Sequence, residues 1–270
     1  MVDLQDLVRK KNNHMRKADY SRIASFYDEG RSLSEQSIAL WLGLISKLSK
    51  ASEGAKVLDL GCGTGRIALQ MATQLQFRVT GADSSKEMLA KAKEKDAAGL
   101  IKWDCQDAER LKYPDDSFDV VFMSHLLHHV NSPSKVIREC ERVLNGSGVI
   151  LIRYGAIEQI RDDVEHTFFP EVLTLDEART PTVKMAEKWL SDAGFKDIIS
   201  EEIVQRTYDT AIAHLNAAGV KSTSVLSMIS QEAFEKGIHQ LAKYVENNPN
   251  DPWLLIDRLT LTVGYKDGIL

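Results

Sequence analysis

The stretch "VLDLGCGTGRIALQMA", residues 57–72, sets a short apolar run against three glycines and then resumes with helix-forming residues. An apolar run of this length closed by glycine reads as a buried strand, and the spacing after the glycines is helical. A strand, a glycine loop and a helix in direct succession open a βα unit, which commits the chain to a mostly parallel sheet covered by helices. Missing Cβ atoms at Gly61, Gly63 and Gly65 let the backbone turn sharply and let a ligand lie against it. Free N–H groups at the start of the following helix make a weakly positive cradle for a phosphate or a carboxylate. A dinucleotide fingerprint reads G-x-G-x-x-G. Here the third glycine comes one place early and Arg66 stands where the fingerprint has its last glycine, so the spacing departs from that of an NAD site.

Further β-rich runs alternate with helical periodicity: "RVTGAD" at 78–83, "IKWDCQD" at 101–107, "FDVVFMS" at 118–124 and "GVILIRYG" at 148–155. The helices between them carry their own punctuation. Ser84 with Glu87 three residues on forms a capping box before "KEMLAKAKEK". Ser132-Pro133 reads as N-cap and first helical position, and a further helix is expected from Thr180-Pro181 to Gly194. "DIISEEIVQ" and "DRLTLTVGYK" supply later strands. Three stretches fall outside this rhythm and read as mainly helical: 1–45, 156–180 and 209–256. The expected organisation is an N-terminal helical cap over 1–45 and a core over 46–270 that carries cap insertions at 156–180 and 209–256. Ligands of open α/β sheets sit beyond the carboxyl ends of the strands, so segments leaving those ends are placed to roof a pocket.

A chain of 270 residues, with 43% hydrophobic and 27% charged residues, has room for one substantial α/β core and an appended cap. The net charge of −5 argues against broad capture of a nucleic-acid backbone. Cys62, Cys105 and Cys140 are too few and too scattered for a disulfide framework or a zinc site, which fits a reducing, cytoplasmic setting with no metal. No run approaches the length of a membrane span, and the first residues lack a secretory pattern.

Asp83 closes the second strand about 20 residues past the loop, from where a carboxylate can accept both hydroxyls of a ribose. Asp107 ends the third and is suited to an adenine amino group, with the Ala108 N–H beside it. Each aspartate taken singly reads equally well as a cap or loop residue. Together with the glycine loop they sit at three successive strand ends. At this point the chain resembles the class I S-adenosylmethionine-dependent methyltransferases, on "VLDLGCGTGR", "VTGADSSKEML", "DCQDAERLKYPDDSFDVVFMSHLLHHV" and "ECERVLNGSGVILI". Within that family it is similar to the branch of the ubiquinone and menaquinone C-methyltransferases and many small-molecule enzymes. The resemblance spans about residues 55–155. It implies a Rossmann-like α/β sheet of seven strands, mostly parallel with the last antiparallel, which makes "DRLTLTVGYK" the final strand. It further implies S-adenosylmethionine as cofactor and S-adenosylhomocysteine as product. Asp59, Gly61, Gly63 and Gly65 would surround the amino-acid end of the cofactor, Asp83 and Ser84 its ribose, and Met88, Asp107 and Ala108 its adenine. Ser124 would lie near the sulfonium, and Tyr27, in the N-terminal segment, would close the methionine end.

A sulfonium already makes its methyl group electrophilic, so alignment and desolvation are the protein's main tasks and a dedicated base is optional. His125, first histidine of "SHLLHHV", is the candidate base; equally it reads as a cap or a partner for a carbonyl. "HTFFPE" and "VLSMISQEAFEKGIHQL" read either as an apolar lining or as ordinary helix packing, and Arg153 and Arg161 as partners of an acidic substrate or of neighbouring carboxylates. No N-P-P-[YF] run follows the fourth strand, which on the resemblance counts against methylation of nucleic-acid bases. The expectation is in-line methyl transfer to a small-molecule acceptor. The alternatives are a cofactor-binding partner protein without transfer activity and a methyltransferase of a macromolecule.

Overall fold

The computed structural model describes residues 34–268, and Tyr27 lies outside them, as do residues 1–33 of the expected cap over 1–45. Seven strands form one sheet: β1 (Lys56–Leu60), β2 (Arg78–Asp83), β3 (Lys102–Cys105), β4 (Phe118–Ser124), β5 (Leu144–Tyr154), β6 (Lys196–Arg206) and β7 (Ile256–Tyr265). Their order is β3-β2-β1-β4-β5-β7-β6. The first five pair in parallel, while β7 runs antiparallel to both β5 and β6. The last strand in sequence therefore lies inside the sheet as its one reversed member, and the sheet is the Rossmann-like one expected. The order reverses between β1 and β4, and at such a switch point the two crossover connections leave on opposite faces and open a crevice beyond the strand ends.

Alternation along the strands sends successive side chains to two helical layers. On one face Leu58, Leu60, Val121, Met123, Ile150 and Ile152 pack with helices α4 (Pro133–Val143) and α8 (Val183–Asp192). On the other, Val57, Val79, Val120, Phe122 and Leu151 pack with α1 (Glu35–Ser49) and α2 (Arg66–Gln74). Helix α3 (Lys86–Lys95) buries Met88, Leu89 and Ala92. Trp41, Leu42 and Ile45 of α1 are buried in the second layer, so this described end of the N-terminal segment packs beneath the sheet.

Two helical insertions leave the carboxyl end of the sheet. Helices α5 (Ile157–Ile160), α6 (Val164–Phe168) and α7 (Pro170–Arg179) follow β5, and α9 (Ala211–Gly219) and α10 (Gln231–Asn247) separate β6 from β7. They share a third apolar cluster built from Phe169, Val172, Leu226, Ile229, Phe234 and Leu241. "HTFFPE" and "VLSMISQEAFEKGIHQL" thus supply the interior of this cap: Phe169 stacks on Phe234 with ring centres 6.1 Å apart.

Local starts shift by a residue or two from the sequence reading. Ser85, not Ser84, is the N-cap of α3; its hydroxyl accepts from the Met88 N–H at 3.2 Å and donates to Glu87 at 2.8 Å. Asp83 is the cause, because its carboxylate takes the Ser85 N–H and draws the chain out one residue further before it turns. Thr182 caps α8, two residues past the expected Thr180. Strand β3 ends at Cys105, so Asp107 stands in the loop beyond it.

Candidate active site

The glycine loop lies at the switch point, directly past β1. Gly61, Gly63 and Gly65 all have positive φ, at +73°, +54° and +76°. At Gly65 the absent side chain is a packing requirement, since a Cβ there would stand 2.4 Å from the Trp103 ring. At Gly63 a Cβ would meet nothing within 4 Å, so this residue keeps open space against bare backbone. The loop is tied to its neighbour strand by N–H bonds from Gly61 and Cys62 to the Ala82 carbonyl.

Two carboxylates hold this cradle. Asp83 accepts from the Gly63 N–H at 2.9 Å through one oxygen and from the Ser85 N–H at 2.8 Å through the other. Burial raises its pKa, against the lowering effect of those N–H groups. Asp59 shares the face of β1 that carries Val57 into the apolar layer and is 2% exposed. Desolvation, followed by the charge of Asp83, pushes its pKa up to about 7. An aspartate where the strand pattern asks for an apolar residue is a departure that costs stability, of the kind found at functional sites.

The remaining expected residues divide. Ser124 closes β4, faces the same small cavity as Asp59, Gly61 and Gly63, and accepts a 2.8 Å bond from Arg153. His125 follows with φ +53° and its N–H bonded to the Arg153 carbonyl, a turn that sets its ring at the boundary between this cavity and the larger cleft beyond. The Met88 side chain is buried, whereas Ser84 is exposed. Asp107 is exposed too and caps its own turn through a 2.9 Å bond from the Glu109 N–H; Ala108 packs against the first apolar layer. Arg153 is buried, bonds to Ser124 and Gln205 and lies over the Trp41 ring. Arg161 pairs with Glu177 at 3.5 Å on the surface.

The larger cleft, about 1210 Å³ counted to its open mouth, runs between the sheet end and the cap, and Arg66 and His125 line both it and the cradle. Its walls hold groups that sequence reading did not single out. His166 places Nδ1 against the Arg161 carbonyl at 3.1 Å and Nε2 against Asp176 at 3.2 Å. Two acceptors require both ring nitrogens to carry protons. Burial opposes that charge, but these partners hold the pKa above its ordinary value. His214 is built alike, with Nδ1 on the Leu254 carbonyl at 2.9 Å and Nε2 3.8 Å from Glu165. Burial again opposes and Glu165 prevails, so its pKa is also raised. Isolated histidines in helical segments give no sequence signal for this, because their partners come from other elements. Among the described residues no three His, Cys, Asp or Glu side chains converge as a metal ion requires. No helix among them is long and apolar enough to cross a membrane.

A glycine cradle at the switch point, carboxylates at the ends of β1 and β2, and a reversed seventh strand define a class I methyltransferase fold. Residues 58–152 match the family described as a methyltransferase domain. It is similar to the ubiquinone/menaquinone biosynthesis C-methyltransferase UbiE of Bdellovibrio bacteriovorus, at 34% identity over 143 residues, 51% of this chain and 61% of that protein. It is also similar to the 27-O-demethylrifamycin SV methyltransferase of Amycolatopsis mediterranei, at 36% identity over 125 residues, 45% of this chain and 46% of that protein. The chain therefore spans 46–61% of the length of these two curated relatives. Among solved structures, phosphoethanolamine N-methyltransferase 2 of Haemonchus contortus, in complex with phosphomonomethylethanolamine and S-adenosylhomocysteine, superimposes with a TM-score of 0.64 at 21% identity. That match covers 91% of this chain and 57% of that one, and it speaks to the fold.

Proposed function

We propose that the protein transfers the methyl group of S-adenosylmethionine to a small-molecule acceptor held in the cleft beneath the cap. The observation that carries this reading is the joint geometry of the cradle: space against bare backbone at Gly63, with Asp83 fixed beside it and Asp59 buried below. Gly61, Gly63 and Gly65 receive the amino-acid end of the cofactor. Asp59 supplies negative potential under its ammonium group, and Asp83 keeps lone pairs for the ribose hydroxyls while its present bonds hold the carboxylate in place. Ser84, Met88, Asp107 and Ala108 serve the ribose and adenine, Ser124 borders the reacting end, and Tyr27 closes over it. Bound S-adenosylmethionine supplies an electrophilic methyl on a sulfonium, which leaves alignment and exclusion of water to the chain. His125, at the junction of cradle and cleft, is placed to accept a proton from the acceptor side.

Relatives named for quinone and rifamycin methylation support a small-molecule acceptor, and the cap over the cleft supports it sterically. The test is formation of S-adenosylhomocysteine from S-adenosylmethionine by the purified protein, with and without a low-molecular-weight metabolite extract. Extract-dependent product supports transfer to a small acceptor. Tight cofactor binding with no product from any extract or macromolecular fraction supports the partner-protein alternative.

A further inference from the structure

The cleft contains four carboxylates, and three of them are satisfied from within the protein. Asp176 is closed by His166 and by Arg179 at 3.1 Å, and Glu165 faces His214. Asp257 accepts only from neutral donors, the Thr207 hydroxyl and the Gln205 amide, while the neighbouring Arg258 guanidinium lies 4.1 Å over the Trp253 ring. The fourth is Asp163. It occupies the N-cap position of α6, where an aspartate ordinarily accepts an N–H from the first turn, yet its side chain makes no such bond. Among the described residues its oxygens have no hydrogen-bond or ion-pair partner, and the residue lines the cleft. Burial, then the charges of Glu165 and Asp257, outweigh the opposing pull of His166 and His214 and raise its pKa to about 7. A second polar atom with unused bonding capacity, the buried Oγ1 of Thr223, belongs to the same wall.

A half-buried carboxylate that lines a cleft and takes no donor from the described residues keeps its lone pairs for a ligand. We propose that the molecule bound in this cleft carries an alkylammonium group, and that Asp163 is the residue that recognises it. A cation pairs with the cleft carboxylate that has no partner among the described residues, and its N–H groups match acceptors the protein leaves unused. A neutral alkyl group or an anion gains neither. That this molecule is the methyl acceptor rests on the reading above, whereas the presence of an ammonium site does not.

The experiment uses the full chain labelled with carboxyl-13C aspartate, the Asp163 signal being assigned by its loss in both Asp163→Asn and Asp163→Glu. n-Butylammonium chloride, n-butanol and sodium butyrate are titrated separately, with and without S-adenosylhomocysteine. The expected result is saturable binding of butylammonium only, a fall of about one pH unit in the Asp163 midpoint, and at least tenfold weaker binding by Asp163→Asn. Binding of S-adenosylhomocysteine is unchanged in that variant. Equal binding of butanol and butylammonium, undiminished butylammonium binding by Asp163→Asn, or no saturable butylammonium binding by the folded wild type would each overturn the proposal. If Asp163→Asn does not fold, the midpoint shift in the wild type decides alone. Failure to bind S-adenosylhomocysteine with butylammonium binding intact would refute the transferase reading and leave the ammonium site standing.

Discussion

Gly63 and Gly65 sit two residues apart with similar backbone angles, yet they are glycine for different reasons. Both need a left-handed conformation, which costs an L-residue about 1–2 kcal/mol. Only Gly65 also meets a wall, the Trp103 ring. Gly65→Ala should therefore lose about 2–5 kcal/mol in urea unfolding, the left-handed cost plus about 1–3 kcal/mol of overpacking, and Gly63→Ala only about 1–2 kcal/mol. Cofactor affinity should reverse that ranking in severity per kcal/mol of stability lost. Asp59 gives a prediction in pH. Its folded pKa of about 7 lies above the ordinary 3.8, so between those values the fold holds a proton that the unfolded chain has released. Stability from this group is greatest at low pH and declines as pH rises through that window, by at most about 4 kcal/mol at roughly 1.4 kcal/mol per unit. Asp59→Asn should flatten the decline between pH 4 and 7, read as urea midpoints across that range. An unchanged slope would show that Asp59 ionises freely in the fold. Of this residue-scale chemistry, the glycines and Asp83 were legible because strand, loop and helix are contiguous. The state of Asp59 was not, because the desolvation arises from α2 and β4 folding over it.

At the scale of elements, Gln205 joins parts that are distant in sequence. Its carbonyl oxygen accepts from Trp41 Nε1 of α1 at 2.6 Å and from Arg153 of β5 at 3.1 Å, and its amide donates to Thr207 and Asp257. Replacing it with leucine keeps the volume and leaves two buried donors without their acceptor, at about 1–3 kcal/mol each. Gln205→Leu should lower unfolding stability by about 2–6 kcal/mol, and a loss below about 0.5 kcal/mol would show that the network is dispensable. Val136, Ile137, Cys140 and Val143 stand at amphipathic spacing along α4, and all four are buried. Helix starts were less legible. Ser84 and Ser85 are equivalent as text, and only the grip of Asp83 on the Ser85 N–H selects the second. Asp163 holds the N-cap position of α6 without capping it, and its side chain lines the cleft.

Across the whole molecule, the parallel strands follow from the βα rhythm through residue 155, and the reversal of the last strand came from family resemblance rather than from any local pattern. The cap helices were visible as breaks in that rhythm, but their faces were not. Phe169 and Phe234 lie 65 positions apart and meet only after both insertions fold over the sheet end. The histidine–carboxylate pairs of the cleft belong to the same class, since His214 and Glu165 come from separate insertions. The cradle is the feature on which the functional account depends, so the most direct measurement is calorimetric titration of the native chain and of Asp83→Ala with S-adenosylmethionine and S-adenosylhomocysteine. The account predicts binding of both ligands by the native chain and a loss of about tenfold or more in the variant, the equivalent of about 1.5–3 kcal/mol for bonds to a charged group, with its fold intact by circular dichroism. Absence of binding by the folded native chain, or equal binding by Asp83→Ala, would contradict it.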